Sequence, residues 1–318
     1  MIIVRDPVEA ALALPRTYGI DDIPIIIQDR RFDAQNQLVF NGLGVGESGN
    51  TILVNGTVQP FVEVGAGVVR LRVLNGSNSR VYQLGLDNGG SFYQIGSDGG
   101  LLSAPVQLTR LKIAPGERAE LLVDFGNATG QTRTLMSYSS ELVRGEPGGV
   151  VQGPGPPPQP GDIDGTDFSV LEIRVTGSTS ITSIPSSLVT IQPILETDVN
   201  RTRSIALNNI PGPQGVLAIN GVVFDLNVIN EVVSLGDTEI WSISNVTGGP
   251  HPFHIHDIQF QILDRGGPAP SPNEQGWKDV VLVYPGETVR FITKFEDFAD
   301  PIVPICTTVI LGVTKMVE

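Results

Sequence analysis

The sequence predicts an all-β protein made of two copies of one β-sandwich, and three observations carry that prediction. Valine and isoleucine recur in short runs broken by Gly, Pro, Asn and Asp, in a chain with 37 Gly, 24 Pro and only 17% charged residues. Long amphipathic stretches of helical period are missing between those runs. The same landmarks also occur twice in the same order. Asn55-Gly56 is followed 60 residues later by Pro115-Gly116-Glu117, and Asn220-Gly221 is followed 65 residues later by Pro285-Gly286-Glu287. Between the landmarks Val68–Asn75 corresponds to Thr238–Asn245, and beyond them Ala119–Phe125 corresponds to Val289–Phe295. Order and spacing kept together mark a duplicated unit.

Taken in order, Met1–Val4 is a short apolar run closed by Arg5-Asp6-Pro7, and reads as the last strand of something earlier. Val8–Leu14 is Ala/Leu-rich and suits a turn or two of helix before Pro15. Ile23–Gln28 is a strand; the Gly-rich loop Gly42–Gly49 leads into Thr51–Val54 and the turn at Asn55-Gly56. Val68–Leu74 alternates apolar and charged residues, as a half-buried strand does. Strands are expected at Val81–Leu86, Phe92–Ile95, Leu108–Ile113, Ala119–Phe125 and Phe168–Val175. The Pro/Gly-rich stretch 145–161 is a long loop within the first copy. The boundaries that follow are 1–19 for the leading segment, 20–175 for the first sandwich, 176–200 for a Ser/Thr/Pro-rich linker and 201–318 for the second sandwich.

All three histidines of the 318 residues fall within six positions, His251-Pro252-Phe253-His254-Ile255-His256. The stretch reads as the start of one strand whose apolar positions are Phe253, Ile255, Ile258, Phe260 and Ile262. Residues two apart on a strand share a face, so His254 and His256 are expected to project together. Imidazole suits zinc, copper, iron and nickel alike, so the spacing predicts a metal without naming it. The first copy has Val81-Tyr82-Gln83-Leu84 at the corresponding place, with no metal-ligand type among them.

A net charge of −14 repels phosphate backbones, which argues against nucleic-acid binding. No apolar run reaches the ~18–20 residues that span a bilayer, and Met1–Pro7 lacks the basic and apolar regions of a signal peptide. The single cysteine, Cys306, rules out an internal disulfide framework.

The His-Pro-Phe-His-Ile-His motif, its continuation Phe260-x-Ile262-Leu263 and Gly276-Trp277-Lys278-Asp279 resemble the third cupredoxin domain of multicopper oxidases of the bacterial laccase-like, cuprous-oxidase and bilirubin-oxidase-like kind. Asp21–Asp29 and Gly96-Ser97-Asp98-Gly99-Gly100 resemble the second, copper-free domain of the same enzymes. The resemblance implies two cupredoxin-like Greek-key sandwiches and copper as cofactor. It assigns His251 to a mononuclear copper and His254 and His256 to a trinuclear cluster. It implies dioxygen and a small reducing substrate (a phenol, a pigment or cuprous ion) as partners, and a periplasmic or extracellular location. Each imidazole's second nitrogen is expected on a carbonyl or carboxylate, with Asp257 and Asp279 as candidates.

The sequence departs from the family pattern in two places. The family's first cupredoxin domain is missing, so residues 1–19 are expected to be its remnant plus a connector. The family's C-terminal His-Cys-His motif is replaced by Ile305-Cys306-Thr307-Thr308-Val309-Ile310. Reading the same codons one frame over permits Tyr-Met-Tyr-His-Cys-His there, which suggests a frameshift. The expectation is a truncated and inactive copper-dependent oxidoreductase, retaining at most a residual three-His metal site. The alternative is a non-catalytic cupredoxin-fold metal-binding or cell-envelope scaffold protein. A missing domain supplied by another chain is a third arrangement. Losing the last strands of the second sandwich predicts an unpaired sheet edge and poor solubility, with the tail Val309–Val313 as a substitute strand.

Overall fold

The computed structural model describes residues 3–39, 48–150, 161–210, 216–223, 225, 228–296 and 307–309, the last three by backbone alone. Two compact units emerge: Met1–Ser97 with Leu101–Thr190, and Asp98–Gly100 with Ile191–Leu311.

The first unit opens with a short helix, α1 (Pro7–Ala11), started by Asp6 as N-cap and by proline in its first turn. Twelve strands follow: β1 (Asp22–Arg30), β2 (Thr51–Val54), β3 (Thr57–Val58), β4 (Phe61–Ala66), β5 (Val68–Asn75), β6 (Tyr82–Leu86), β7 (Phe92–Ser97), β8 (Gly100–Leu108), β9 (Leu111–Ile113), β10 (Arg118–Asp124), β11 (Thr132–Ser137) and β12 (Phe168–Ser178). They form a seven-stranded sheet in the order β3-β2-β1-β5-β10-β7-β8 and a five-stranded sheet in the order β4-β12-β11-β6-β9. The two inner faces bury Ile25, Val73 and Leu121 from one sheet against Leu84, Leu135 and Ile173 from the other. Fully burying such a side chain stabilises the fold by about 1.5–3 kcal/mol.

The second unit holds β13 (Arg201–Ile210), β14 (Val216–Ile219), β15 (Thr238–Asn245), β16 (His251–Ile255), β17 (Phe260–Arg265), β18 (Val280–Val283), β19 (Thr288–Lys294) and β20 (Thr307–Val309). Its sheets run β14-β13-β15-β19-β17 and β18-β16-β20. The pairing scheme repeats. β1 runs parallel to β5 as β13 does to β15, and β10 runs antiparallel to β5 as β19 does to β15. An aromatic cluster fills the second core: Phe260 stacks on Phe291 at 4.2 Å between ring centres, with Trp241, Phe253 and Phe295 around them.

One device recurs and sets the site. In the first unit the buried Asn75 side chain donates to the carbonyls of Arg80 and Ile113 and accepts from Ser77 N–H. In the second, Asn245 donates to the carbonyls of Gly249 and Val283 and accepts from Thr247 N–H. Each asparagine ties the end of one strand to the loop and strand that follow, satisfying backbone groups the loop cannot pair for itself.

Four expectations need correction. The helix stops at Ala11 and does not reach Leu14. A nine-residue strand, β8, lies where the sequence suggested none; it tolerates Pro105 because it is the edge of its sheet. Val68–Leu74 is not half-exposed: Arg70 and Arg72 are 1% and 5% accessible. Arg70 pairs with Glu9 at 2.6 Å and with Glu120, and Arg72 pairs with Asp22 at 2.6 Å and with Glu120, so both charges are buried in partnership. Finally, the histidine stretch is two strands rather than one. β16 and β17 belong to different sheets, separated by a bend in which Asp257 takes φ +72°. The apolar positions foreshadow the break, because Ile255 and Ile258 are three apart and lose the two-residue period. Residues 151–160 of the Pro/Gly-rich stretch, Cys306 and residues 310–318 of the tail lie outside the described residues.

Candidate metal centre

The centre is built on β16, which pairs antiparallel with β18 on one side and β20 on the other. Phe253 and Ile255 point into the core with no accessible surface, and this anchors the strand. The alternate position, His254, is thereby turned away from that core, and both His254 and His251, which opens the strand two residues before Phe253, are half-buried. His256 follows just beyond the strand and is exposed. The His254 and His256 rings lie 4.9 Å apart, centre to centre, and are tilted by 49°. Their expected common side is therefore kept even though only His254 lies inside the strand.

Hydrogen bonds orient two of the rings. His254 Nδ1 lies 2.7 Å from the carbonyl oxygen of Asp279, with the Asp279 carboxylate at 3.7 Å. A carbonyl only accepts, so Nδ1 carries the proton and Nε2 keeps its lone pair. The Asp279 backbone is held in turn: Asp98 Oδ2, fully buried, accepts from Asp279 N–H and Val280 N–H at 3.4 Å and pairs with Lys278 at 2.9 Å. His251 meets the Thr247 hydroxyl through Nε2 at 2.6 Å. Burial pushes the His251 pKa down to about 4. Partial desolvation of its ring, then the neighbouring His254, lowers that of His256, against the opposing pull of Asp279. Both imidazoles are thus favoured in the neutral form that metals require.

The chain is similar to proteins already known. A family model described as multicopper oxidase matches residues 183–299. Cell division protein FtsP of Photorhabdus laumondii is 38% identical over 290 residues, 89% of this chain and 57% of that protein. A laccase of Bacillus subtilis is 33% identical over 334 residues, 93% of this chain and 61% of that protein. The solved structure of CueO, a bacterial laccase-like multi-copper oxidase from Ochrobactrum sp., is 30% identical with TM-score 0.81 and covers 97% of this chain and 68% of that one. The chain belongs to the multicopper oxidase family. It spans 57% to 61% of the length of the FtsP and laccase relatives.

A multicopper oxidase fold implies copper, and the donor chemistry fits that metal in kind. These are imidazoles, two of them with one ring nitrogen tied to the protein and the other left for a ligand. The number of donors is another matter. Among the described residues no three His, Cys, Asp or Glu side chains converge on one point. The rings of His254 and His256 lie close together, and His251 is held by a different partner, Thr247. No helix among the described residues is long and apolar enough to cross a membrane.

Asp279 was foreseen as an orienting residue, although it acts through its backbone carbonyl at 2.7 Å more closely than through its carboxylate. Thr247 and Asn245 were missed. Their signal was present in the repeat, where Asn75-Gly76-Ser77 matches Asn245-Val246-Thr247.

Proposed function

We propose that the second sandwich carries one strand's share of the copper ligands of a multicopper oxidase. In this reading His251 ligates the mononuclear copper, and His254 and His256 ligate the trinuclear cluster. The supporting observation is the hydrogen-bonding of the rings: His254 is oriented by the Asp279 carbonyl at 2.7 Å, its ring 4.9 Å from His256, while His251 sits apart on Thr247. That is the arrangement expected of ligands to two centres. Copper, when bound, supplies the redox chemistry that takes electrons from a small reducing substrate (a phenol, a pigment or cuprous ion) and passes them to dioxygen, giving water. The residues of this chain do the holding. Phe253 and Ile255 lock the strand, Asp279 sets one imidazole, and burial keeps His251 unprotonated.

The three histidines at 251–256 are the only ones in the sequence, so the remaining ligands must come from elsewhere. We infer that this chain by itself does not turn over, and that the complete assembly works in the periplasm or outside the cell. The test is dioxygen consumption with a phenolic substrate by the copper-loaded chain, alongside its copper content. Bound copper without dioxygen uptake fits the proposal. Sustained turnover by the chain alone contradicts it.

A second reading is favoured by the similarity to cell division protein FtsP, at 38% identity. Here the same fold serves as a non-catalytic scaffold of the cell envelope. Copper content near zero after loading, with the chain folded, supports the scaffold and removes the oxidase reading.

A further inference from the structure

We propose that Thr247 is a positioning residue that fixes the tautomer of His251, placing the proton on Nε2 and leaving the Nδ1 lone pair for a ligand. The inference rests on the oxidase reading only for what that lone pair would bind. The tautomer itself follows from the hydrogen bonds.

Thr247 is buried, and its hydroxyl oxygen has four polar neighbours. Asn245 Oδ1 lies at 2.7 Å, the Gly249 carbonyl oxygen at 3.0 Å, His251 Nε2 at 2.6 Å and Gly249 N–H at 3.4 Å. The orientation of Asn245 is settled by its own partners. Its Nδ2 donates to the carbonyls of Gly249 and Val283, so the atom facing Thr247 is the oxygen. That oxygen and the Gly249 carbonyl can only accept, so the single hydroxyl proton goes to one of them. If it went to His251 instead, the Thr247 and Asn245 oxygens would sit 2.7 Å apart with no proton between them. At the Thr247–His251 contact the hydroxyl is therefore the acceptor, and Nε2–H donates. One proton given and two accepted then account for the full hydrogen-bonding capacity of the hydroxyl.

The first sandwich carries a hydroxyl at the corresponding place. There Ser77 occupies the position two residues after Asn75, and its hydroxyl lies 2.8 Å from Tyr82 OH. Tyr82 pairs with Ile113 as His251 pairs with Val283, and Ile113 and Val283 are the residues whose carbonyls the two asparagines hold. The hydroxyl clamp thus belongs to the framework. In one copy it holds a phenol, and in the other it orients an imidazole. Ring orientation and tautomer are what outer hydrogen-bond partners give a metal ligand, and their loss typically weakens metal affinity by about 10–100-fold.

The test is two-bond proton–nitrogen correlation NMR on the full chain with ¹⁵N-labelled histidine, without metal, at neutral pH. Only three histidines contribute, and His251→Gln assigns the relevant signals. The expected result is an Nε2–H pattern for His251 in the wild type, retained in Thr247→Ser and lost or mixed in Thr247→Val. An Nδ1–H pattern in the wild type overturns the proposal whether or not the valine variant folds. An unchanged pattern in a folded Thr247→Val also overturns it. Copper affinity is read separately by competition with a chelator. An Nε2–H pattern with no copper bound by any variant sinks the oxidase reading and leaves the Thr247 assignment standing.

Discussion

The two sandwiches share a frame and differ in what the frame presents. Asn75 and Asn245 make the same bonds, and the strand that each holds begins at an equivalent register. Counting along from Tyr82 and His251, the first copy has Gly85 where the second has His254, and Asp87 where the second has His256. Gly85 has no room for more. A Cβ there would approach Arg110 Nη1 to 2.7 Å and the Thr109 carbonyl and Tyr138 Cε2 to 2.9 Å. Arg110 lies flat over the Tyr138 ring at 3.4 Å, and Tyr138 OH donates to the Leu86 carbonyl. The first copy has filled the space with a cation–π stack; the second uses it for an imidazole pair. The lesson is that strand order and loop closure are one layer of information, and the outward positions of a single strand are another.

The comparison can be broken most forcefully at its shared part. Asn75→Ala strands two buried carbonyls and Asn245→Ala one buried and one half-buried carbonyl, and each is expected to cost about 3 kcal/mol of stability. Both tryptophans, Trp241 and Trp277, lie in the second unit, so fluorescence during urea unfolding reports that unit and far-UV circular dichroism reports both. A large loss in one variant with none in the other would mean the frame is not common.

Gly85→Ala is the next largest, at about 2 kcal/mol from overpacking against backbone and the Arg110–Tyr138 stack. Chemical denaturation measures it, and a neutral effect would show that the first copy could have taken a side chain there.

The pH response should separate the copies. In the folded chain His251 stays neutral down to about pH 4, whereas an unfolded imidazole takes up its proton near 6.5. Between those values unfolding binds a proton, so stability falls as pH drops through the window, and is fully kept above it. After allowing for partial exposure the expected loss is on the order of 2 kcal/mol, and the lowered pKa of His256 acts in the same direction. Tryptophan-monitored unfolding at the two ends of the window tests this, with His251→Gln expected to flatten the response. The smallest effect is Tyr82→Phe, which removes the hydroxyl partner of Ser77 and should cost about 1 kcal/mol by the same denaturation measurement.

Much of this was legible in the sequence, for physical reasons that also explain the misses. Runs such as Ile23–Gln28 and Val68–Leu74 are strands because branched apolar side chains suit a buried pleated surface, and the structure has β1 and β5 there. β8 escaped because Pro105 and a mix of Ser and Gln blur its pattern, which an edge strand permits. The burial of Arg70 depends on Glu9 and that of Arg72 on Asp22, both far away in the chain, and no local pattern announces such partners. The histidine cluster was plain from composition alone. The clamp behind it was hidden because Asn245-Val246-Thr247 carries no ligand type, and only the match with Asn75-Gly76-Ser77 marks it.

The most direct test of the central claim, that the 251–256 strand presents imidazoles to copper, is pulsed electron paramagnetic resonance of the chain loaded with one equivalent of cupric ion. The predicted spectrum shows modulation from the remote nitrogen of coordinated imidazole, diminished in the His254→Gln/His256→Gln double variant and abolished when His251→Gln is added to it. A spectrum without imidazole modulation, or one unchanged by both substitutions, would contradict it.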